Sequence, residues 1–433
     1  MEYESVEMIV ISSGFHKTHV TIAAREASRR RLLRFAITAA YPTEIVKRVA
    51  RLLGVADKGR IARLMERDEA IPGAQLRPLF LPELLDEAAR IVNRIPLLGR
   101  FYASLSVASW RLYGRLAARK LLHADGAQIY HFRAGFGHSS IDRARQLGML
   151  TLCDHAIAHP SLLEQLIDNR GKLPERIGGR TPPAADSAPL RNPLTRAMLA
   201  DIDRCDAVVV NSEFVKGTFL ALGWSPDRVH VVYLGVDDNF RPEGPMQRAP
   251  ATDGKLQLLF AGRLEKRKGA EVLVEALSDL GDVDWELLVA GPVAPDIESA
   301  YGEFLSDDRV RLLGTLRRPA LMEQMLSVPV FVFPSFAEGS ARVVFEALAC
   351  GSYIITTPNS GTIVEDGVHG ALIPSGDAAC LAAAVEEAGR DRQMVAEIGS
   401  RNAEIVAERF QQADYGDALA DLYQKLAAQN PRT

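Results

Sequence analysis

The sequence predicts two α/β domains in tandem, each a doubly wound parallel sheet. Three observations predict it. A chain of 433 residues exceeds what one ordinary core organises. Short apolar runs alternate with helical patterns, and this alternation occurs twice along the chain. A proline-rich polar stretch at residues 241–254 separates the two runs, where an interdomain linker is expected.

The first run opens with an apolar strand, Met8–Ser12, closed by a turn at Ser13-Gly14. Apolar positions at three- and four-residue spacing predict helices over 18–34 and 43–67. A strand at Ala127–Phe132 ends in the glycine turn Gly135-Phe136-Gly137. Strand Met149–Cys153, a helix over 160–168 and a Gly- and Pro-rich segment at 169–193 follow, the last reading as a mobile loop. Helix 194–204, strand Ala207–Val210, helix 213–222 and strand Val229–Tyr233 complete the run. The second run predicts strands Leu256–Ala261, Trp285–Ala290, Val310–Leu313, Val330–Phe333 and Tyr353–Thr356. Its helices are expected over 269–280, 319–326, 340–349 and 377–389, with a helical tail over 391–428. The expected domains are 1–240 and 252–405, with a terminal helix near 406–433 packing back on the first. Ligands of such sheets bind at the carboxyl ends of the strands, so the cleft between the domains is the expected site.

Composition is that of a soluble globular chain, 47% hydrophobic and 24% charged, with a formal net charge of −4. No apolar run is long enough for a membrane span. The start, Met1-Glu-Tyr-Glu, is acidic where a secretory signal is basic. Cys153, Cys205, Cys350 and Cys380 lack metal-binding or redox spacing and read as reduced thiols, so a cytoplasmic location is expected. Charge is uneven: residues 1–120 hold 21 Lys and Arg against 12 Asp and Glu, a net +9. Residues 91–120 contain Arg94, Arg100, Arg111, Arg115, Arg119 and Lys120 with no acid, interleaved with Phe101, Tyr102, Trp110 and Tyr113. Such a surface suits either a solvated helix face or peripheral contact with anionic lipid at the inner membrane face.

The densest chemical signal is Phe333-Pro-Ser-Phe-Ala-Glu338-Gly339-Ser340-Ala341, followed by Glu346 within a helix expected to begin near Ser340. A strand running through a glycine turn into a helix offers free N–H groups and a positive helix end, which suit a phosphate. Glu338 and Glu346 are spaced to flank a diphosphate, although two surface carboxylates at chance spacing would look the same. Strand Leu256–Ala261 ends in Gly262-Arg263-Leu-Glu-Lys-Arg-Lys268-Gly269, a cationic loop able to neutralise a diphosphate or simply to face solvent.

Together these segments resemble the family 4 glycosyltransferases. The shared features are Gly262-Arg263-Leu264 with Lys268-Gly269, the Glu338–Glu346 pair, Ala347–Gly351 and Glu365–Gly370. Ile373–Asp377, Asn211–Phe214 and Leu234–Asp237 add to the set. The resemblance is close over about 205–390 and diffuse before that. It implies the GT-B fold, two Rossmann-like domains facing across a cleft, and retaining transfer from a nucleotide sugar without a metal. It implies that Arg263 and Lys268 bind the donor diphosphate, Glu338 the transferred sugar and Glu346 the ribose, with Gly262, Gly339, Ser340 and Ala341 lining the cradle. The N-terminal glycine pair of the family is reduced to Gly14, near Lys17, and Pro-Asn-Gly-Val-Asp becomes Tyr233-Leu-Gly-Val-Asp237. His155 stands where relatives carry a cleft histidine, while His159, His131 and His138 compete with it or serve structure.

The implied donor is a UDP-sugar, with no cofactor, and the acceptor a saccharide or lipid-linked saccharide in glycan or glycolipid biosynthesis. Asp201-Ile-Asp203 and Asp282-Val-Asp284 mimic a metal-binding Asp-x-Asp but fall in a predicted helix and before a strand, so both read as exposed caps or turns. No phosphate-binding P-loop or complete dinucleotide fingerprint occurs, and nothing indicates nucleic-acid binding. The alternatives are a nucleotide-sugar epimerase or phosphorylase on the same fold, and a degenerate transferase serving as a partner or sensor.

Overall fold

The computed structural model describes residues 8–429 except 55–56, 96–97, 174–191, 238–239, 241, 243–253 and 282. They form the two parallel, doubly wound sheets that the sequence predicts. The first contains β1 (Ile9–Ser12), β2 (Leu33–Thr38), β3 (Leu76–Pro78), β4 (Ile129–Arg133), β5 (Leu150–Asp154), β6 (Ala207–Val210) and β7 (Val229–Val231). Their spatial order is β3-β2-β1-β4-β5-β6-β7. The second contains β8 (Leu256–Ala261), β9 (Trp285–Ala290), β10 (Val310–Leu312), β11 (Val330–Phe333), β12 (Tyr353–Thr356) and β13 (Gly370–Leu372), in the order β10-β9-β8-β11-β12-β13. Every pairing is parallel. Strand order reverses between β1 and β4 and between β8 and β11, so each sheet has a switch point where its loops diverge.

Both faces of these strands are covered, which is why they read as continuous apolar runs rather than alternating ones. In β1, Val10 joins a core with Phe35, Tyr130 and Phe132, while Ile9 and Ile11 point into another. That second core includes Tyr415, Leu419, Tyr423 and Leu426 from the helix Gln412–Gln429, so the end of the chain packs on the first sheet. The predicted helical tail is two helices, Arg392–Arg409 and Gln412–Gln429. The break lies where the Phe410 carbonyl accepts from the Val236 N–H at 2.8 Å, as the chain crosses between sheets.

Other elements differ from expectation for similar reasons. The helix expected over 18–34 stops at Arg29, Arg31 adopts a left-handed turn (φ 58°), and Leu33 begins β2. The helix expected over 43–67 is two, Glu44–Leu52 and Gly59–Met65, with Gly54 at φ 61° between them. Asp201 is buried inside the helix Pro193–Arg204, not exposed, and accepts from the N–H groups of Gly137 (2.7 Å) and His138 (2.8 Å). The linker proposed at 241–254 lies outside the described residues apart from Pro242 and Gly254, as do 174–191 of the proposed mobile loop and Asp282. Among the described residues no helix is long and apolar enough to cross a membrane.

Candidate active site

The loops leaving β8 and β11 are clamped together at the second switch point. Gly269 adopts φ 76°, and a Cβ on it would stand 2.0 Å from the Pro334 carbonyl oxygen, so only glycine fits. Phe336 donates its N–H to the Arg267 carbonyl at 2.8 Å, and the Ser335 hydroxyl donates to the same oxygen at 3.2 Å. Lys268 folds back along the first loop. A Cβ on Gly262 would come within 2.8 Å of the Lys268 ammonium, which also lies 5.0 Å from the Phe333 ring centre.

This clamp gathers an alternating set of charges. Arg267 donates to one Glu338 oxygen at 2.6 Å, to the Ala337 carbonyl at 2.9 Å and to Glu265 at 2.8 Å. Lys268 reaches the same Glu338 oxygen at 3.6 Å. Arg263 is tied only loosely, 3.8 Å from Glu265, and its side chain is about half exposed. Three cations thus face two carboxylates, and the loop keeps a net positive charge at the carboxyl ends of β8 and β11. Arg267 was missed as a site residue from sequence. Its only signal was membership of the cationic loop, and nothing local distinguishes it from Lys266, which reaches Asp168 at 3.6 Å.

The helix after Glu338 begins at Arg342, not Ser340. Ala341 is extended and its N–H donates to the Ser360 carbonyl at 2.9 Å; Glu338 likewise donates to the Asn359 carbonyl at 2.9 Å. Gly339 lies against the first domain, and a Cβ on it would sit 1.8 Å from the Ala156 carbonyl oxygen. Its own carbonyl accepts from the Ser212 hydroxyl. Two buried oxygens beside this contact, Ser340 Oγ and Asn211 Oδ1, have no hydrogen-bond partner among the described residues. Buried polar atoms are nearly always paired, so these two are open to a bound water or a ligand.

Glu346 is buried and already engaged. Arg318 donates to it at 2.8 Å and to Asp237 at 2.8 Å, and Arg342 donates to Asp237 at 3.2 Å. Burial raises the Glu346 pKa despite the Arg318 charge. Arg318 and Arg342 carried no sequence signal, because both partners are distant in the chain.

In the first domain, Gly14 (φ 70°) turns the chain against Phe136, whose ring a Cβ would approach to 2.7 Å, and its N–H donates to the Tyr113 hydroxyl at 3.2 Å. Lys17 pairs with Glu69 at 2.7 Å. His155 and His159 are buried against Phe219. His155 lies one residue before the Ala156 contact, with its Nε2 3.3 Å from the Ala158 carbonyl. Burial pulls His155 down to about 4 and His159 down to about 3. Both bind fewer protons folded than unfolded below the ordinary value of 6.5, so stability falls as pH drops through 6.5 towards 4. Asp201, pushed up to about 6 by burial, acts in the opposite sense, but two histidines outweigh it. Urea unfolding should therefore show a loss of about 2 kcal/mol between pH 6.5 and 5, and His155→Gln should remove most of it, because Asp201 then nearly offsets the remaining histidine. A wild-type profile flat over that window would contradict the buried neutral state.

Beneath the cleft lies a cluster that sequence reasoning did not assemble. Asp154, at the end of β5, lies 2.5 Å from His19 Nε2 and 3.1 Å from His131 Nε2, and His131 Nδ1 lies 2.7 Å from the Tyr423 hydroxyl. Burial alone would raise the Asp154 pKa, but the two rings hold it well below the usual range. His138, by contrast, bonds locally to Ser139 at 3.1 Å.

Residues 255–391 match the family described as "Glycosyl transferases group 1", and residues 79–240 match "Glycosyltransferase Family 4". A D-inositol 3-phosphate glycosyltransferase of Mycobacterium sp. (strain JLS) is 32% identical over 191 residues, covering 41% of this chain and 43% of the relative. A putative colanic acid biosynthesis glycosyltransferase, WcaL of Salmonella typhimurium, is 27% identical over 236 residues, covering 52% and 57%. The chain thus spans about half the length of the curated relatives it matches. The crystal structure of Anabaena HepE in complex with UDP shares the fold at a TM-score of 0.60 and 17% identity, covering 96% of this chain and 100% of that one.

Proposed function

The chain belongs to the family 4 glycosyltransferases, and from that premise we propose that it transfers a sugar from a nucleotide diphosphate sugar to a hydroxyl acceptor. The alternating cluster Arg263–Glu265–Arg267–Glu338–Lys268 carries the reading. A departing nucleoside diphosphate develops negative charge, and Lys268 and Arg263 lie where fixed cations would stabilise it. Glu338, held by Arg267, accepts from sugar hydroxyls, while Ser340 Oγ and Asn211 Oδ1 offer two further partners. Glu346 orders the second half of the pocket, where ribose hydroxyls would compete with Arg318 for its carboxylate. The Ala341 N–H is already given to the Ser360 carbonyl and Gly339 packs on Ala156, so of the cradle expected from sequence the Gly262 backbone and Ser340 are the parts this reading keeps for the donor.

With arginine and lysine supplying the countercharge, no metal or cofactor is required in this reading. The bond from the anomeric carbon to the phosphate oxygen breaks as the nucleoside diphosphate departs, the acceptor oxygen bonds that carbon on the same face, with retention, and the departing phosphate takes the acceptor's proton. A UDP-sugar is the donor we favour, and a saccharide or lipid-linked saccharide approaching from the first domain is the acceptor, consistent with biosynthesis at the inner face of a membrane. His155, buried beside the Gly339 contact, positions that face of the cleft. A thermal-shift screen of UDP-, GDP- and ADP-sugars, with and without EDTA, tests the proposal. Stabilisation by one nucleotide family, unchanged by EDTA, is the expected result; none with any nucleotide would overturn it.

A further inference from the structure

Two helices of the first domain are built inside out. In the helix Phe80–Val92 the buried positions include two carboxylates, Glu83 and Asp86, while Leu81, Leu84 and Leu85 face outward. Glu83 is held inside by Arg67 at 2.8 Å, by the Ala40 N–H at 2.8 Å and by His16 at 2.9 Å. In the helix Glu44–Leu52, Ile45, Val49 and Leu52 recur at four- and three-residue spacing on one stripe, and Ile45 and Leu52 are 76% and 80% exposed. An amphipathic helix normally turns that stripe to the core. Scattered exposed leucines mean little, but these are not scattered. Of the 19 large hydrophobics exposed among the described residues, 13 fall between Ile45 and Leu105.

The two helices are linked through the segment between them. Arg67, which grips Glu83, is followed by Asp68, and Asp68 pairs with Lys47 on the first helix and accepts from the Tyr41 hydroxyl at 3.2 Å. They also border the cleft. His16, in the loop after β1, lies 2.6 Å from Arg90 on the second helix as well as contacting Glu83. Arginines are set among the apolar residues: Arg48, Arg51, Arg90, Arg94 and Arg100 are exposed, whereas Glu44, Asp57 and Glu66 are the exposed acids between 44 and 120 among the described residues.

We propose that this face docks on the surface of an anionic lipid bilayer. Leucine and isoleucine would enter the acyl boundary while the arginines meet acidic headgroups. A second copy of the chain is a poorer occupant, because a twofold contact would set one basic patch against another. Docking itself does not rest on the transferase reading. Combined with it, docking holds the acceptor side of the cleft at the membrane, where a lipid-linked acceptor would lie.

Co-sedimentation of the full chain with vesicles tests this, using phosphatidylcholine alone and phosphatidylcholine mixed with phosphatidylglycerol. Binding should require the anionic lipid and weaken as salt is raised. Leu84→Ser/Leu85→Ser should lower partitioning about tenfold or more, and Arg48→Glu/Arg51→Glu should lower it and remove its salt dependence. All four side chains are exposed, so melting temperature and nucleotide binding should be unchanged; that readout separates failure of docking from failure of the donor site. The proposal is overturned if the wild type does not sediment with anionic vesicles at low salt, or if the leucine variant binds them equally. It is also overturned if the leucine variant dissolves a dimer seen by light scattering without changing vesicle binding.

Discussion

Replacing Glu338 with alanine is expected to lower sugar transfer by about 100-fold while nucleotide affinity changes by less than about threefold. The carboxylate accepts charge-assisted hydrogen bonds worth about 1.5–3 kcal/mol each, and about 1.4 kcal/mol corresponds to a factor of ten in rate. Transfer should suffer because Glu338 is the carboxylate placed between the cationic loop and the two unpartnered oxygens. The protein should stay folded: without Glu338, Arg267 keeps Glu265 at 2.8 Å and the Ala337 carbonyl at 2.9 Å. Lys268→Ala provides the contrast, and should weaken both transfer and nucleotide binding, since the ammonium is expected to meet the diphosphate in ground and transition states alike. Initial rates with a UDP-sugar, beside calorimetric titration of UDP, separate the two. Equal losses of rate and affinity in the Glu338 variant would place that residue on the nucleotide rather than on the sugar.

Asp154→Asn is expected to destabilise the chain by about 3 kcal/mol at neutral pH, because removing one partner of a buried charged cluster leaves the others uncompensated. Here those others are His19, His131 and the buried Arg133, whose pKa is lowered by burial against the attraction of Asp154. The sign with pH follows from the direction of the Asp154 shift. Its folded pKa lies below its ordinary 3.8, so its contribution is complete above that value and is lost as pH falls through the folded pKa. The gap between wild type and variant should therefore narrow as pH falls below about 4. Chemical denaturation at a series of pH values measures it. A variant as stable as the wild type at pH 7 would show that the histidines hold Asp154 without net benefit to the fold. Through Tyr423 the same cluster ties the terminal helix to β4, so the variant should also loosen residues 412–429 in hydrogen exchange.

Much of the architecture was legible because it is written locally. Strands such as Leu256–Ala261, Trp285–Ala290, Val330–Phe333 and Tyr353–Thr356 are buried on both faces, and continuous apolar runs between helical patterns announce them. The helical breaks at Leu53 and Phe410 were not legible, nor were β3 and β13, because three-residue strands and crossover points take their conformation from distant partners; β2 was hidden because the helical pattern before it was read on to residue 34, past the left-handed turn at Arg31. Gly235 against the Phe410 carbonyl, where a Cβ would approach to 2.5 Å, is such a partnership.

The site divides along the same line. Sequence alone pointed to the family and the two-sheet fold and marked the loops proposed to carry the chemistry, since residue types at fixed spacing survive without knowledge of contacts. It placed Arg263, Lys268, Glu338 and Glu346 on the correct loops and helices. Only the tertiary structure decided what each one touches: that Arg267 holds Glu338, that Arg318 occupies Glu346, and that His19 and His131 converge on Asp154. It also decided that Leu84 faces outward while Glu83 faces in. Apolar periodicity shows that a helix has a stripe, but which way the stripe points depends on what the neighbouring chain leaves to be paired. A carboxylate already matched by Arg67 and His16 can be buried, and the leucines beside it are then left at the surface.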